Sequence, residues 1–337
     1  MIRYAAMLAC LALPSAALAQ ATAPLGQDLE DFDYGAPVKW FEAEAQGAPV
    51  RMAWLDFAPA GKARDETIVL LHGKNFCAAT WVDTARALAA KGWRVIVPDQ
   101  VGFCKSSKPA GFQYSFAQLA GLTRDLLAEA GVERPVLVGH STGGMLALHW
   151  ALLWPDGVSR LVLVNPLGLN DPIAEGAPYA PLTQLLAEEA KTDADSIRAY
   201  QQRVYYGGDW QPGYQRWVDM LAGQYATGDG ASVRQAQARL SDMIQTQPTA
   251  HQLDEVRVPV TLLIGQEDLT TFRGNTAPKG VKIGTVPQAA EVAVAQLPDA
   301  TLVRLEGLGH SPMVQDPEVF QRVLVEALAP PSGDRQD

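Results

Sequence analysis

Ser141 stands in Gly139-His140-Ser141-Thr142-Gly143, between a short apolar run, Pro135–Val138, and a helix-like run, Met145–Trp154. A serine at such a strand-to-helix turn can present its hydroxyl to a cleft as a nucleophile. The glycines on either side fit that geometry, because the chain reverses so tightly that a Cβ there would strike the neighbouring strand or helix. The chemistry then requires a base to take the serine proton, a carboxylate to orient the base, and donors for an oxyanion. Among the five histidines, His149 lies within the helix that follows Ser141, and His140 is expected to point away from the nucleophile. His72 ends a strand and His251 sits on a polar stretch. His310, in Gly307-Leu308-Gly309-His310-Ser311-Pro312 after the final strand-like run, is the candidate base. Asp268, at the end of Leu263-Ile264-Gly265-Gln266-Glu267-Asp268, is the candidate acid, with Glu267 the adjacent alternative. Asn165 occupies a second position where an acid could stand, one strand earlier, but cannot be an anion. The amides of Thr142 and Lys74 are the candidate oxyanion donors, with Asn75 a near alternative to Lys74.

These residues need strands that end at a common edge. Apolar runs Thr67–Leu71, Arg94–Pro98, Pro135–Val138 and Leu161–Val164 read as buried strands. Helical stretches follow the first three, near Ala78–Lys91, Ser115–Ala130 and Thr142–Trp154. Such alternation indicates a parallel sheet covered on both faces, with ligands outside the carboxyl ends of its strands. Val38–Glu44 and Val50–Phe57, joined near Gly47, predict an antiparallel hairpin at the sheet edge. From Asn170 to Val256 no strand is expected, only helices near Leu182–Ala190, Ser196–Tyr205, Gly213–Tyr225 and Ser232–Gln245. Strand rhythm resumes at Val258–Gly265 and Thr301–Glu306, with helices near Pro287–Leu297 and Pro317–Leu328. The division is therefore a core over 37–169 and 257–329 and a helical lid over 170–256, with an N-terminal arm over 20–36 and a tail over 330–337. Both of these end segments read as poorly ordered.

Met1-Ile2-Arg3-Tyr4, the apolar stretch Ala5–Leu13 and Ala17-Leu18-Ala19 describe a signal peptide spanning 1–19, cut before Gln20. The mature protein would be periplasmic or secreted. Its charge would pass from −10 to −11, since Arg3 is the one charged residue removed. That balance argues against nucleic acid and anionic membrane surfaces as partners, and no run approaches the length of a membrane span. Of three cysteines Cys10 leaves with the signal, so Cys77 and Cys104, each just past a strand, could pair in an oxidising compartment. Their spacing contains no zinc pattern.

Five ordered motifs, Leu70-Leu71-His72-Gly73, Pro98-Asp99-Gln100-Val101-Gly102-Phe103, Gly139-His140-Ser141-Thr142-Gly143-Gly144, Gly265-Gln266-Glu267-Asp268 and Gly309-His310-Ser311-Pro312, together resemble the α/β-hydrolase superfamily. The chain is similar to the branch with a helical cap after the sixth strand. The resemblance implies an α/β fold with a mixed, mostly parallel eight-stranded sheet, Ser141, Asp268 and His310 as a triad, and hydrolysis without metal or organic cofactor. Relatives that cleave carbon–halogen bonds or epoxides carry aspartate at the nucleophile position, so Ser141 disfavours those reactions. Lys74-Asn75-Phe76-Cys77 departs from the usual proline- or glycine-rich continuation after Gly73. The expected activity is hydrolysis of small to medium hydrophobic carboxylic esters through an acyl-enzyme on Ser141. Lactonase, amidase or peptidase, and carbon–carbon hydrolase use the same triad, and a non-catalytic binding relative would lack one of its members. Six of nine tyrosines fall in the lid. Asn75, Phe76, Phe103, Tyr205, Tyr206, Trp210 and Trp217 are accordingly the pocket candidates, predicting an apolar or aromatic acyl site with polar handles.

Overall fold

The computed structural model describes residues 22–228 and 230–329. Residues 1–19, read from the sequence as a signal peptide, and the tail 330–337 lie outside the described residues. Eight strands form one sheet: β1 Lys39–Ala45, β2 Ala48–Phe57, β3 Thr67–Leu71, β4 Arg94–Pro98, β5 Val136–His140, β6 Arg160–Val164, β7 Val260–Gly265 and β8 Ala300–Leu305. Their spatial order is β1-β2-β4-β3-β5-β6-β7-β8. β1 and β2 form an antiparallel hairpin, β2 pairs antiparallel with β4, and every later pairing is parallel. This is the mixed, mostly parallel sheet expected. β5, with all five residues buried, lies between β3 and β6.

The order β4-β3-β5 contains a reversal. The chain leaves β3 through α1 (Val82–Ala90) toward one edge, then passes through α2 (Phe116–Glu129) to β5 on the other side of β3. Right-handed crossovers in opposite directions put α1 and α2 on opposite faces, and a crevice opens where the directions diverge, at the carboxyl ends of β3 and β5. Ser115 caps α2 by accepting from the Gln118 amide at 3.1 Å. α3 (Thr142–Leu153) leaves β5 directly and packs against α2; its residues are mostly buried, which suits an apolar sequence without a polar stripe.

Between β6 and β7 the described residues contain no strand. They form α4 (Leu182–Glu189), α5 (Ala194–Tyr200), a π-helical turn over Gln201–Tyr205, α6 (Gln215–Tyr225) and α7 (Ala231–Thr246). The sheet then closes with α8 (Val286–Ala293), the short α9 (Pro312–Gln315) and α10 (Pro317–Ala327), which packs against α1.

The N-terminal arm departs from expectation, because residues 22–36 are held down. Leu29 and Tyr34 are buried, and the Tyr34 hydroxyl donates to Asp99 Oδ2 at 2.5 Å. The Leu25 and Gly26 amides bond to the Gly223 carbonyl and the Thr227 hydroxyl, and Lys108 pairs with Asp28 at 2.8 Å. Apolar anchors spaced among polar residues escape a reading by composition, since only their tertiary partners show that they are buried.

Candidate active site

Ser141 sits between the last residue of β5 and the first of α3, at φ 53° and ψ −115°. A non-glycine residue rarely holds that conformation, and the surroundings must fix it. Its amide donates to the Val164 carbonyl at 3.0 Å, prolonging the β5–β6 ladder, and its carbonyl accepts from Gly144 and Leu167. The flanking glycines close the turn from both sides. A Cβ on Gly139 would lie 2.4 Å from the Gly143 carbonyl oxygen, and one on Gly143 would lie 2.4 Å from that of Leu71.

Two loops converge on the hydroxyl. His310 Nε2 is 3.0 Å from Ser141 Oγ, and His310 Nδ1 is 2.7 Å from Asp268 Oδ2. Asp268 Oδ1 accepts from the Thr270 amide at 2.8 Å, and all three side chains are buried. A carboxylate can only accept, so Nδ1 carries the ring proton and the Nε2 lone pair receives the serine hydroxyl. Asp268 therefore occupies the orienting position, with Glu267 outside the relay.

Asn165 and His140 have roles the sequence did not disclose. Asn165, at φ 42° after β6, donates through Nδ2 to the carbonyls of Gly309 (2.8 Å) and His310 (2.9 Å), while its Oδ1 accepts from the Gly265 amide at 2.7 Å. One amide thus ties the loop bearing the base to the strand end bearing the acid. His140 does not point away from the site. Its Nε2–H donates to the His310 carbonyl at 2.8 Å and its ring centroid lies 4.9 Å from that of His310. The elbow turns the serine aside, but the His310 loop folds back across the end of β5 and meets the His140 ring. Burial pushes His140 well below the ordinary histidine range, reinforced by His310 nearby, so it stays neutral. His72, likewise lowered by burial, accepts from the Gln100 amide and donates to the Gly73 carbonyl.

A Cβ on Gly73 would come within 3.0 Å of Ser141 Cβ, so the loop after β3 passes directly beside the serine. Among the described residues the amides of Lys74 and Asn75 are not engaged in hydrogen bonds, whereas Phe76 donates back to Gly73. Thr142 opens α3, where the first amides lack helical acceptors and the helix dipole favours negative charge. The arrangement can accommodate an anion at Ser141.

The insert reaches this centre through the π-helical turn. Tyr205 stacks on His310 with centroids 4.7 Å apart and accepts from Asn75 Nδ2 at 2.9 Å through its hydroxyl. Its carbonyl accepts the His310 amide at 3.0 Å, and a Cβ on Gly309 would lie 2.2 Å from that oxygen. Phe76 lies between the rings of His140 and Tyr205, with Trp217 behind it. The other pocket candidates pack elsewhere: Tyr206 stacks on Tyr214 beside Trp210, and Phe103 meets His72 edge-on. A cavity of about 400 Å³ adjoins the loop after β3, lined there by Lys74 and Asn75 and by Tyr200, Gln201, Leu221 and Tyr225 of the insert. Of the seven candidates only Asn75 lines it, and its wall mixes apolar with polar groups. Tyr200, Tyr225 and Phe272 supply aromatic wall to this cavity, whereas the candidate rings Tyr206, Trp210 and Trp217 pack within clusters of the insert.

Cys77 and Cys104 are free rather than paired. Their sulfurs and an Asp99 oxygen lie within 4.8 Å of one another, but Cys77 Sγ turns to Met220 Sδ (3.2 Å) and Cys104 Sγ to the Phe76 carbonyl (3.4 Å). This trio has the composition of a metal site. The Asp99 carboxylate, however, already accepts from Tyr34, Ala78 and Lys105, so the cluster reads as a buried polar network joining the arm to the loops.

The family model for the alpha/beta hydrolase fold matches residues 66–317. The chain is 27% identical over 280 residues to a putative carbamate hydrolase, RutD, of Escherichia coli, spanning 82% of this chain and 96% of that protein. A crystal structure of a probable hydrolytic enzyme from Pseudomonas aeruginosa PAO1 is 48% identical, with TM-score 0.89, covering 92% of this chain and 99% of the other. An enol-lactonase from Burkholderia xenovorans LB400, 18% identical with TM-score 0.65 over 85% and 98% of the two chains, shares the fold.

Proposed function

This chain belongs to the α/β-hydrolase fold family, and from that premise we propose that it is a serine hydrolase cleaving carboxylic esters of small to medium acyl groups. The unbroken sequence Asp268–His310–Ser141, at 2.7 and 3.0 Å, carries this reading. His310 takes the Ser141 proton as Oγ attacks the ester carbonyl, and Asp268 holds the imidazole in the tautomer that leaves Nε2 free. The tetrahedral oxyanion is received by the Thr142 amide and one from the loop after Gly73, that of Lys74 or Asn75. His310 then protonates the leaving alcohol, and the acyl group remains on Ser141. Water, deprotonated by the same nitrogen, attacks the acyl carbon and releases the acid. Each step uses only protein groups and water. The basic, apolar and A-x-A segments of residues 1–19 support action outside the cytoplasm, in the periplasm or as a secreted enzyme.

The test is incubation with a fluorophosphonate beside a panel of p-nitrophenyl esters, lactones, carbamates and aminoacyl anilides. The expected result is one adduct, on Ser141, that abolishes ester turnover. Preference for an anilide over the ester of the same acyl group would overturn the esterase reading, and absence of any adduct would overturn the serine hydrolase.

A further inference from the structure

Tyr205 is joined to the loop that carries the base at two levels. Its carbonyl accepts the His310 amide at 3.0 Å, an approach that requires glycine at position 309, since a Cβ there would lie 2.2 Å from that oxygen. Its ring stacks on the His310 imidazole, with centroids 4.7 Å apart and planes inclined by 29°. The ring is held in place from other sides as well. Its hydroxyl accepts from Asn75 Nδ2 at 2.9 Å, Tyr200 meets it edge-on at 5.3 Å, and Phe76 lies on a tilted plane at 5.9 Å. This packing buries the ring, and burial holds its hydroxyl well above the ordinary tyrosine range, so the ring stays an uncharged phenol. The turn that delivers it is π-helical, a form that occurs in short pieces and often at functional sites.

The base becomes an imidazolium while it holds the Ser141 proton. An aromatic face carries negative potential, so it attracts that cation more strongly than it attracts the neutral imidazole. The attraction grows where water is excluded, and His310 is buried. A contact that strengthens as charge develops lowers the barrier without tightening the ground state. Asp268 meets the charge at Nδ1, on the edge of the imidazole, whereas Tyr205 meets its face. The second ring beside His310, that of His140, is kept neutral by burial and does not oppose the charge.

We infer that Tyr205, a residue of the helical insert, stabilises the imidazolium of His310 through the face of its ring, in acylation and deacylation alike. Tyr205 exchanges no proton. The proton moves from Ser141 Oγ to His310 Nε2 and on to the leaving alcohol, and in the second step from water to Nε2 and back to Ser141. The insert thereby supports the chemical step as well as the choice of substrate. This inference rests on the serine-hydrolase reading and adds a positioning residue to it.

The test replaces Tyr205 by phenylalanine and by phenylalanines bearing one, two and three ring fluorines, which withdraw negative potential from the face while nearly keeping its shape. Initial rates are measured on one p-nitrophenyl ester that wild type hydrolyses, and thermal melts establish that each variant is folded. Tyr205→Phe is expected to stay within a few fold of wild type. Across the fluorinated series log kcat should fall steadily with each fluorine, by about 10-fold in total, while KM stays within about twofold. Tyr205→Leu, which keeps the carbonyl contact but has no aromatic face, should lose about as much as the trifluorinated variant. A ring that merely packs would give a flat series whatever the leucine variant does. A flat series therefore overturns the inference, as does one in which KM rises and kcat is unchanged. Failure of wild type to take a fluorophosphonate on Ser141 would instead overturn the reading on which it rests.

Discussion

The carboxyl edge of the sheet and the helical insert supply opposite sides of the same centre, and they hold their residues by different means. At the edge, Ser141 is fixed by backbone contacts on both sides of Gly139 and Gly143, and the acid and base loops are tied by the Asn165 amide. The insert touches the centre through side chains and one carbonyl: Tyr205 on His310 and Asn75, and Lys74 to Glu189 across to α4. Backbone contacts within a close-packed sheet leave little freedom, whereas a contact made through a side chain changes with a single substitution. Rigidity where bonds are made and latitude where substrates are chosen would follow from that contrast.

The sharpest test of the edge is Ser141→Ala, which should lower ester turnover by roughly 10⁴-fold or more with the fold intact, read by initial rates and a thermal melt. Asp268→Asn should come next, at about 10⁴-fold in kcat, because the amide stabilises the wrong tautomer of His310. A loss of only a few fold would mean that another carboxylate orients the base. Asn165→Ala probes the tie between the loops. It should reduce kcat by about 10- to 100-fold with KM little changed, since a small displacement of His310 is enough to misplace proton transfer. Tyr205→Phe keeps the ring on His310 and removes only the acceptor for Asn75, so kcat/KM should change by a few fold. Equal losses for Asn165→Ala and Tyr205→Phe would erase the distinction between edge and insert.

The smallest effect concerns pH. His140 and His72 are buried and held below the ordinary histidine value of 6.5. Below that pH the unfolded chain binds protons that the folded chain does not. Stability is therefore retained above about pH 6.5 and lost as pH falls beneath it, by up to about 1.4 kcal/mol per pH unit for each histidine. Urea midpoints measured from pH 7.5 to 5 should show that slope, and His140→Gln should reduce it; an unchanged slope would show that His140 does not contribute.

Much of this was legible in the sequence, for reasons that differ by residue. The strand at Thr67–Leu71 is recovered to the residue because a fully buried parallel strand must be continuously apolar. Ser196–Tyr205 read as a single helix, yet the chain widens into a π-helical turn after Tyr200, where the Tyr205 carbonyl accepts from the His310 amide, a contact that no periodicity records. His140 illustrates the same limit. Its neighbour in sequence is the serine, but its partner is a carbonyl 170 residues away.

By itself the sequence determined the order of strands and helices and the glycines that an elbow demands, and it singled out Ser141, Asp268 and His310 as candidates, because each answers to a local steric or chemical rule. Only the tertiary structure decided which groups support them and what faces the substrate. Asn165 became a tie between loops, Tyr206 and Trp210 became packing within the insert while Tyr200 and Tyr225 came to line a cavity, Cys77 and Cys104 remained free, and Gln201 was left buried without a partner among the described residues. Those outcomes depend on segments distant in the chain meeting in space, and hydrogen-bond satisfaction is a property of that meeting rather than of any local pattern.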